Sequence, residues 1–531
     1  MRQSLEATTV FPAAGINVMS PRSRQPDGTC IDCQNVRIFD AEENRSRGGS
    51  RPGLVKYCSA QLDGSNRVQN LSYTTTVSNA APNSGYLFRR TITAAAVCNG
   101  RIIEFNTTTA TPASAVNAAS TMNASAPVIF SAELFGDVFY TDGQIYSRWD
   151  AATNQFYDYE AADGSMPGDP PNTCGKLIAV WRARVVIAGV HTDPHNWFMS
   201  RLGDPYDWEY APLVTTETQP VQGGVGETGK IGDKITALVP YSDDVMIFGC
   251  DHTIWQMSGD PQSGGRLDLV SSDTGMAWGT PWAKDQEGTL YFMGNRGGVY
   301  SMQPGGGPQH MTSTSIDPLL DGINMNTNTI HMSWDVERDG LYLFITPLTE
   351  GTTDHWFWDS KTNGWFRDRL ANTAYNPVAS MVYDGDDPAD RVLMIGSEDG
   401  YVRYYSDTAY QDDGQAFDSY VTFGPLYNPN GHKEILLTEV QALTDLNSSA
   451  IKYEVVVGES PDGALGNLAS PFVGADGTFQ PGLSITHNPR KRGYYVYMKV
   501  GQNAATASWS IEFMKARISV VESGRGRQSA S

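Results

Sequence analysis

Seven times along the chain an apolar run reaches a tight polar turn and leaves it as a second apolar or aromatic run. The turns are Asn99-Gly100, Asp142-Gly143, Asp193-Pro194, Asp251-His252, Gly297-Gly298, Asp354-His355 and Asp399-Gly400. Asn-Gly and Asp-Gly tolerate the positive φ angles of a two-residue hairpin loop, so these pairs read as hairpins. The runs leading into them begin near Ala94, Val138, Val185, Val245, Leu290, Leu341 and Leu393, at intervals of 44 to 60 residues. Four-stranded propeller blades recur at roughly 40–50 residues. The spacing therefore predicts an all-β chain built on an irregular β-propeller of about seven blades. Six to eight stay open, because a terminal strand can complete a blade.

The chain has 531 residues, more than such a propeller of about 300 residues needs. Residues 1–60 are polar and rich in Pro, Arg and Gly, and read as an extended or strand-bearing N-terminal segment. The hairpin pattern then runs through 61–410, with irregular insertions at 107–125 (Thr107–Ser125, rich in Ala, Thr, Asn and Ser) and 215–233 (Thr215–Asp233, glycine-rich). The wide interval between Val185 and Val245 is explained by the second of these. Beyond Tyr410 the strands lengthen: Glu434–Leu443, Ile451–Gly458, Tyr494–Val500 and Ser508–Val520 alternate as in a β-sandwich, placed at 411–522. Residues 523–531, with Arg525 and Arg527, read as a flexible basic tail. With 53 Gly, 29 Pro and only 18% charged residues, long helices are disfavoured. A short one is expected at Ile316–Leu320.

Thirty-eight basic against 59 acidic residues give a net charge of −21. A basic footprint for nucleic acid is absent. Two readings stand: solubility, and a surface that repels phosphate where DNA must pass without sticking. No apolar run approaches the roughly 20 residues of a membrane helix. The start Met1-Arg2-Gln3-Ser4-Leu5-Glu6 lacks the order of a secretory signal, so the expected product is cytosolic when made. Six cysteines, Cys30, Cys33, Cys58, Cys98, Cys174 and Cys250, are too sparse for a disulfide scaffold.

Candidate chemistry is thin. Cys30-Ile31-Asp32-Cys33 has the spacing of half a zinc site, but no second pair follows and no histidine precedes His191. His191, Asp193 and His195 share one turn, where such residues commonly serve as hydrogen-bonding turn formers. Asp384-Gly385-Asp386-Asp387-Pro388-Ala389-Asp390 resembles a calcium loop, yet the twelfth position holds Ile395 where an EF-hand needs glutamate. A solvated acidic turn is the simpler reading, with weak calcium binding open. Ser271, Asp273, Gly275 and Trp278 match most of an Asp-box, a folding element of sialidase-like propellers, without the arginine cluster of those enzymes. No Gly-x-Ser-x-Gly elbow or phosphate-binding loop occurs. Trp255, Tyr300, Trp358 and Tyr404 follow hairpin turns and are expected to wedge between blades. No residue is assigned as catalytic, cofactor-binding or metal-binding, and the expectation is a protein that is not an enzyme.

One segment differs from generic propeller sequence: Asn196-Trp197-Phe198-Met199-Ser200-Arg201-Leu202-Gly203-Asp204-Pro205-Tyr206-Asp207-Trp208. Together with Gly15-Ile16-Asn17, Asn35-Val36-Arg37, Arg51-Pro52-Gly53, Ser313–Leu320 and Trp365-Phe366-Arg367-Asp368, in that order, it resembles the tail nozzle, or tail tubular protein B, family of short-tailed bacteriophages. The related packaged-DNA stabilisation, or tail hub, proteins share the likeness. It extends over most of residues 9–410, more loosely over the sandwich, and not over Thr107–Ser125 or the C-terminal tail.

The resemblance implies a structural virion protein, made in the host cytoplasm and carried in the tail as a hexameric nozzle or hub ring. Its implied partners are further copies of itself, the tail adaptor ring, tail fibres or spikes, and genomic DNA passing through the lumen without specific binding. It would retain packaged DNA until ejection, and an acidic lumen would spare that DNA cumulative Lys and Arg contacts. No membrane span and no cofactor is expected. The alternative, motivated by Ser271–Trp278 and the aromatics, is a carbohydrate-active or glycan-binding propeller acting on host polysaccharide. A host scaffolding propeller is the third reading, disfavoured because neither WD40 nor kelch signatures recur.

Overall fold

A computed structural model describes residues 4–521 except residue 42, residues 80–87, 117–120, 170–172, 225–229, residue 350, and residues 386–389, 429–432, 469–471, 473–474 and 504–506. Seven sheets, each built on four antiparallel strands, follow one another along the described chain, and those of blades 2 and 3 each carry a fifth, two-residue strand. Each predicted hairpin proves to be the joint between the second and third strands of a blade. Asn99-Gly100, for instance, links Phe88–Cys98 to Arg101–Phe105, with φ of 54° and 71° at the two turn residues. A Cβ on Gly100 would also lie 2.1 Å from the Met122 carbonyl oxygen, so both conformation and space require glycine there.

The innermost strands are Val68–Asn79, Phe130–Leu134, Thr173–Trp181, Ile235–Ser242, Trp282–Lys284, Asn328–Asp335 and Pro377–Asp384. The last packs beside the first and closes the ring. Blade 7 is completed by Gly53–Lys56, which pairs antiparallel with Val402–Ser406, matching Tyr404 to Val55 and Tyr405 to Leu54. The N-terminal segment thus supplies the outer strand of the final blade. Val68 then follows directly into blade 1, so one short stretch ties both ends of the ring.

Blade strands are buried on both faces because each sheet is covered by its neighbours. Gly340–Pro347 and His355–Asp359 are buried almost throughout, which accounts for their unbroken apolar character. Aromatic rings fill the wedges: Tyr291 of blade 5 stacks on Trp334 of blade 6 at 5.6 Å and meets Trp358 at 5.4 Å. Such pairs contribute on the order of 0.5–1.5 kcal/mol beyond area burial. Trp358 is buried between blades as expected and Trp255 packs on the core of blades 2 to 4, whereas Tyr300 stacks between Phe292 and His310 of its own blade and Tyr404 meets Tyr57 beside blade 7.

The sandwich has two sheets. One orders Ser4–Thr9, Ile511–Val520, Ile435–Thr444 and Lys491–Gly493; the other orders Cys33–Gln34, Ser419–Leu426, Tyr495–Gln502, Ile451–Gly458 and Gly477–Phe479. Its core is continuous with that of blades 5 to 7. Residues 1–60 therefore divide between the two domains: two strands enter the sandwich, one enters blade 7, and Val36–Phe39 with Ser46–Ser50 form a hairpin between them.

Both insertions differ from a plain loop reading. Within 107–125, Ala110–Pro112 is the outer strand of blade 1 and Ser114–Ala115 pairs parallel with blade 2. Proline is tolerated on that outer strand, where an amide need not join the ladder. Within 215–233, Val221–Gln222 is the outer strand of blade 3. Ser460-Pro461-Asp462-Gly463 opens a short helix, Pro461–Leu465, capped by the Ser460 hydroxyl. The expected helix after Ile316 spans Asp317–Leu320. Residues 523–531 lie outside the described residues.

Candidate functional site

The seven inner strands surround a cavity of about 470 Å³ on the propeller axis. Every blade lines it, through Leu71, Phe130, Leu177, Leu238, Trp282, His331 and Ser380 among others. Among the described residues Glu133 is the one carboxylate of this lining, and no Lys or Arg joins it. The Glu133 carboxylate is engaged locally, accepting from the amide of Gly136 at 3.1 Å and from the Thr74 hydroxyl at 3.3 Å. His331 is buried, with its Nδ1 against the Thr280 hydroxyl. Burial, helped by the charge of Arg67, pushes its pKa down to about 3, so the ring is neutral near pH 7. A ring of such low basicity is poorly matched to proton abstraction near pH 7, even with the Thr280 hydroxyl beside it.

Trp278 reaches a residue of the cavity wall. It lies just before blade 5, yet its ring meets Phe130 of blade 2 edge-on at 5.8 Å. Of the Asp-box residues, Ser271 accepts from the amide of Thr274 at 3.2 Å, and Gly275 sits where a Cβ would strike the Asp251 and Cys250 carbonyls. The motif braces the crossover from blade 4 to blade 5 and sends its aromatic across the ring.

Other candidates separate. Cys30 and Cys33 are buried in the core shared by the sandwich and blades 5 to 7, whereas Cys58 belongs to the core of blades 7 and 1. Burial, with Cys33 alongside, drives the Cys30 thiol well above its ordinary pKa. Asp193 accepts from the Asn196 amide at 3.0 Å while His191 and His195 face solvent. Asp384 pairs with Arg391 at 3.0 Å, and residues 386–389 of that acidic turn lie outside the described residues. Among the described residues no three His, Cys, Asp or Glu side chains are placed to hold a metal. No described helix is long and apolar enough to cross a membrane.

The segments singled out by resemblance behave differently: most of them converge. Arg37 forms a two-pronged pair with Asp368, at 2.8 and 2.5 Å, and its guanidinium lies 4.1 Å from the Phe357 ring centroid. Asn35 receives Arg51 Nε at 2.9 Å and the Arg369 amide at 2.8 Å on one oxygen, and donates to the Asp418 carbonyl at 2.7 Å. Gly15 pairs with Trp365, and Arg367 reaches Asp32. The N-terminal segment, the outer edge of blade 6, blade 7 and the sandwich thus meet at one buried network of Arg, Asp and Asn. Arg-to-carboxylate forks of this kind fix orientation as well as energy. Sequence reading marked these residues without revealing that they touch.

The Asn196–Trp208 segment is the third strand of blade 3 and the turn after it. Gly203 has φ of 76°, the Asp204 carboxylate accepts from the Tyr206 amide at 2.9 Å, and Arg201 pairs with Asp207 at 2.8 Å. The Pro205 carbonyl accepts from both Trp208 Nε1 (2.8 Å) and the Tyr159 hydroxyl (2.5 Å) of blade 2. Gly-Asp-Pro and Asp-Trp form a staple between adjacent blades.

This geometry defines a seven-bladed β-propeller joined to a β-sandwich. No family model and no curated protein matches the chain. Among solved structures it is similar to the extracellular domain of a putative hybrid two-component system of Bacteroides thetaiotaomicron, at 13% identity and TM-score 0.43, covering 77% of this chain and 54% of that one. A structure of YCF48 bound to D1 peptide aligns at 12% identity and TM-score 0.38, over 67% and 98% of the two chains. A chain of the mitotic checkpoint complex aligns at 8% identity and TM-score 0.39, over 67% and 95%. The chain spans about half the length of the first of these.

Proposed function

We propose that the chain is a structural virion subunit of a short-tailed phage, a nozzle or hub that joins the tail adaptor as a six-membered ring and extends the DNA exit path. The observation that carries this reading is the junction of Asn35, Arg37, Arg51, Arg367 and Asp368. Residues marked by family resemblance, more than 300 positions apart, make direct hydrogen bonds there, Arg37 to Asp368 and the Asn35 backbone amide to the Arg367 carbonyl. A shared scaffold of propeller, N-terminal segment and sandwich is what such a family would hold in common. The axial cavity supports a scaffold over a hydrolase, since its described lining sets a proton-refusing His331 and a locally bonded Glu133 among mainly apolar side chains. An excess of 59 acidic over 38 basic residues suits a conduit that DNA must leave.

Electron microscopy of the purified chain, alone and mixed with the adaptor ring, tests the reading. Six-fold rings with acidic side chains outnumbering basic ones on the lumen wall are expected. A strictly monomeric protein under both conditions, or a lumen lined mainly by Lys and Arg, would overturn it.

A further inference from the structure

The axial cavity carries two polar atoms that no other described atom satisfies. His331, on the inner strand of blade 6, is 3% exposed, and its Nδ1 is taken by the Thr280 hydroxyl. Its Nε2 is buried and makes no hydrogen bond among the described residues. Asn70, on the inner strand of blade 1, donates Nδ2 to the Ile129 carbonyl at 2.8 Å. That bond fixes the orientation of the amide, and Oδ1 is buried and unbonded among the described residues. Both residues line the cavity. Buried polar groups almost always have partners, so two unmet ones around one cavity call for a ligand that supplies them.

Neighbouring polar side chains are already engaged. Gln69 gives Nε2 to the carbonyls of Asn123, Ala124 and Ala126 and accepts the Gly100 amide at Oε1. Ser380 shares a hydrogen bond of 2.7 Å with Ser333, and Glu133 is held by Gly136 and Thr74. Much of the remaining wall is apolar, with Leu71, Phe130, Leu177, Leu238 and Trp282 in it. About 470 Å³ enclosed by an apolar wall with a few placed polar groups is the usual form of a small-molecule site.

The wall also sets the ligand's chemistry. Among the described residues no Lys or Arg lines it, so a carboxylate or phosphate meets no counter-charge there, and the one carboxylate is bonded locally. Arg67, whose charge bears on His331, lies outside the lining and pairs with Glu398 at 3.5 Å. A hydroxyl both donates and accepts, so it serves Asn70 Oδ1 and also His331 Nε2 in either tautomer. We propose that the axial cavity binds a small uncharged hydroxylated molecule with an apolar body, its hydroxyl groups bonded to His331 Nε2 and Asn70 Oδ1. The body packs against Leu71, Phe130 and Trp282. This site lies within one subunit and goes beyond the ring reading, which it neither needs nor tests.

The test is a titration of the full-length chain, labelled with 15N at histidine, with resorcinol, phenol, benzene and benzoate. Resorcinol, with two hydroxyls on one apolar ring, is expected to saturate at one per chain. It should move the Nε2 resonance of a single histidine, the one whose signal is missing from His331→Phe. Phenol should bind more weakly, and benzene and benzoate about tenfold or more below resorcinol. His331→Phe and Asn70→Leu should each weaken resorcinol by about three- to tenfold, the loss of one neutral hydrogen bond. If either variant fails to fold, the ranking of the four probes on the natural chain still decides. Benzene binding as tightly as resorcinol would mean an apolar void in which the two polar atoms play no part, and benzoate binding more tightly would mean an anion site governed by Arg67. Either result overturns the proposal. So does the lack of saturable binding by resorcinol and phenol at millimolar concentration, which would leave the cavity to water.

Discussion

Arg51 and Asp412 face each other as a two-pronged ion pair, Nη1 to Oδ1 at 2.9 Å and Nη2 to Oδ2 at 2.7 Å, with both side chains fully withdrawn from water. The pair is knit further. Asp412 also accepts from the amides of Leu54 (3.1 Å) and Ala371 (3.0 Å), and Arg51 caps the Pro52 carbonyl at 2.8 Å. The Arg51 guanidinium lies 4.0 Å from the Phe417 ring centroid. Two residues 361 positions apart thereby fix how the chain turns from the N-terminal segment into the last blade.

Breaking that pair from one side should be severe. Asp412→Ala leaves a buried guanidinium and two backbone amides without their acceptor, a loss of about 3–5 kcal/mol by analogy with other buried pairs. A double replacement, Arg51→Met with Asp412→Leu, should be milder than either single change, because no charge is then left stranded. Calorimetric unfolding of the three variants checks the order; equal losses in single and double variants would contradict it.

Acid should destabilise the propeller before its carboxylates titrate. Burial pushes His331 down to about 3 and His355 down to about 4, from an ordinary 6.5. The unfolded chain takes up a proton at each near pH 6.5 that the folded chain refuses until pH 4 or below. Stability therefore falls as pH drops from about 6.5, with a ceiling near 1.4 kcal/mol per pH unit for each histidine. Urea unfolding at pH 7, 6 and 5 measures the slope. His331→Gln and His355→Gln should each flatten it, whatever their effect at pH 7.

The turns were legible because positive-φ chemistry is local: Asn99, Gly143 and Gly400 announce their hairpins within two residues. The long alternating strands of the sandwich were legible for the same reason, their period being written in adjacent positions. What escaped were elements whose meaning lies in a distant partner. Gly53–Lys56 is four residues long, and its mate begins at Val402. Ala110–Pro112 and Val221–Gln222 are outer strands of only three and two residues, too short to carry an apolar run, so composition marked them as loops. Arg37 and Arg51 carried no sign of which Asp would meet them, in a chain with many. Trp278 matches an Asp-box by spacing alone, and only the ring geometry takes it to Phe130.

Gly15 should tolerate no side chain. Its φ is 68°, and a Cβ there would lie 2.2 Å from the Trp365 carbonyl oxygen, the group that accepts from the Ile16 amide at 2.9 Å. Gly15→Ala is expected to cost more than about 1 kcal/mol through backbone strain plus clash, and to loosen the N-terminal segment from blade 6. Lowered thermal stability with increased proteolysis of residues 12–30 would bear this out; an unchanged melting point would not.

Arg184 should govern the loop after the blade 3 staple more than the blade itself. Its donors reach the Ser200, Thr218 and Gln219 carbonyls, and Asp260 lies 3.5 Å away. Arg184→Leu removes those links while keeping an apolar stem. Hydrogen exchange at residues 213–219 should rise, with protection in strand Ile235–Ser242 of blade 4 retained. Exchange spreading through blades 3 and 4 would mean that the arginine supports the sheet as well.

Ring closure through Gly53–Lys56 makes a sharper demand. The strand is joined to blade 1 only by the stretch from Tyr57 to Arg67, whose residues Gly64, Ser65 and Asn66 are exposed. Leu54 is completely buried, and the hydrogen bonds to Val402–Ser406 are non-covalent. A protease site inserted at Ser65 and cut after folding should leave the ring closed, since exposed turns are the sites where nicks are tolerated. Both fragments should co-elute in gel filtration with only a modest fall in melting temperature. Replacing Leu54 and Val55 by Asp in the full chain should impair folding, because blade 7 would then lose its outer strand, present the open edge of Val402–Ser406 and expose the core that Leu54 covers, an invitation to aggregation. If the Leu54→Asp, Val55→Asp chain folds as well as the nicked one, the strand only decorates the blade and the ring must be held by packing between blades 7 and 1.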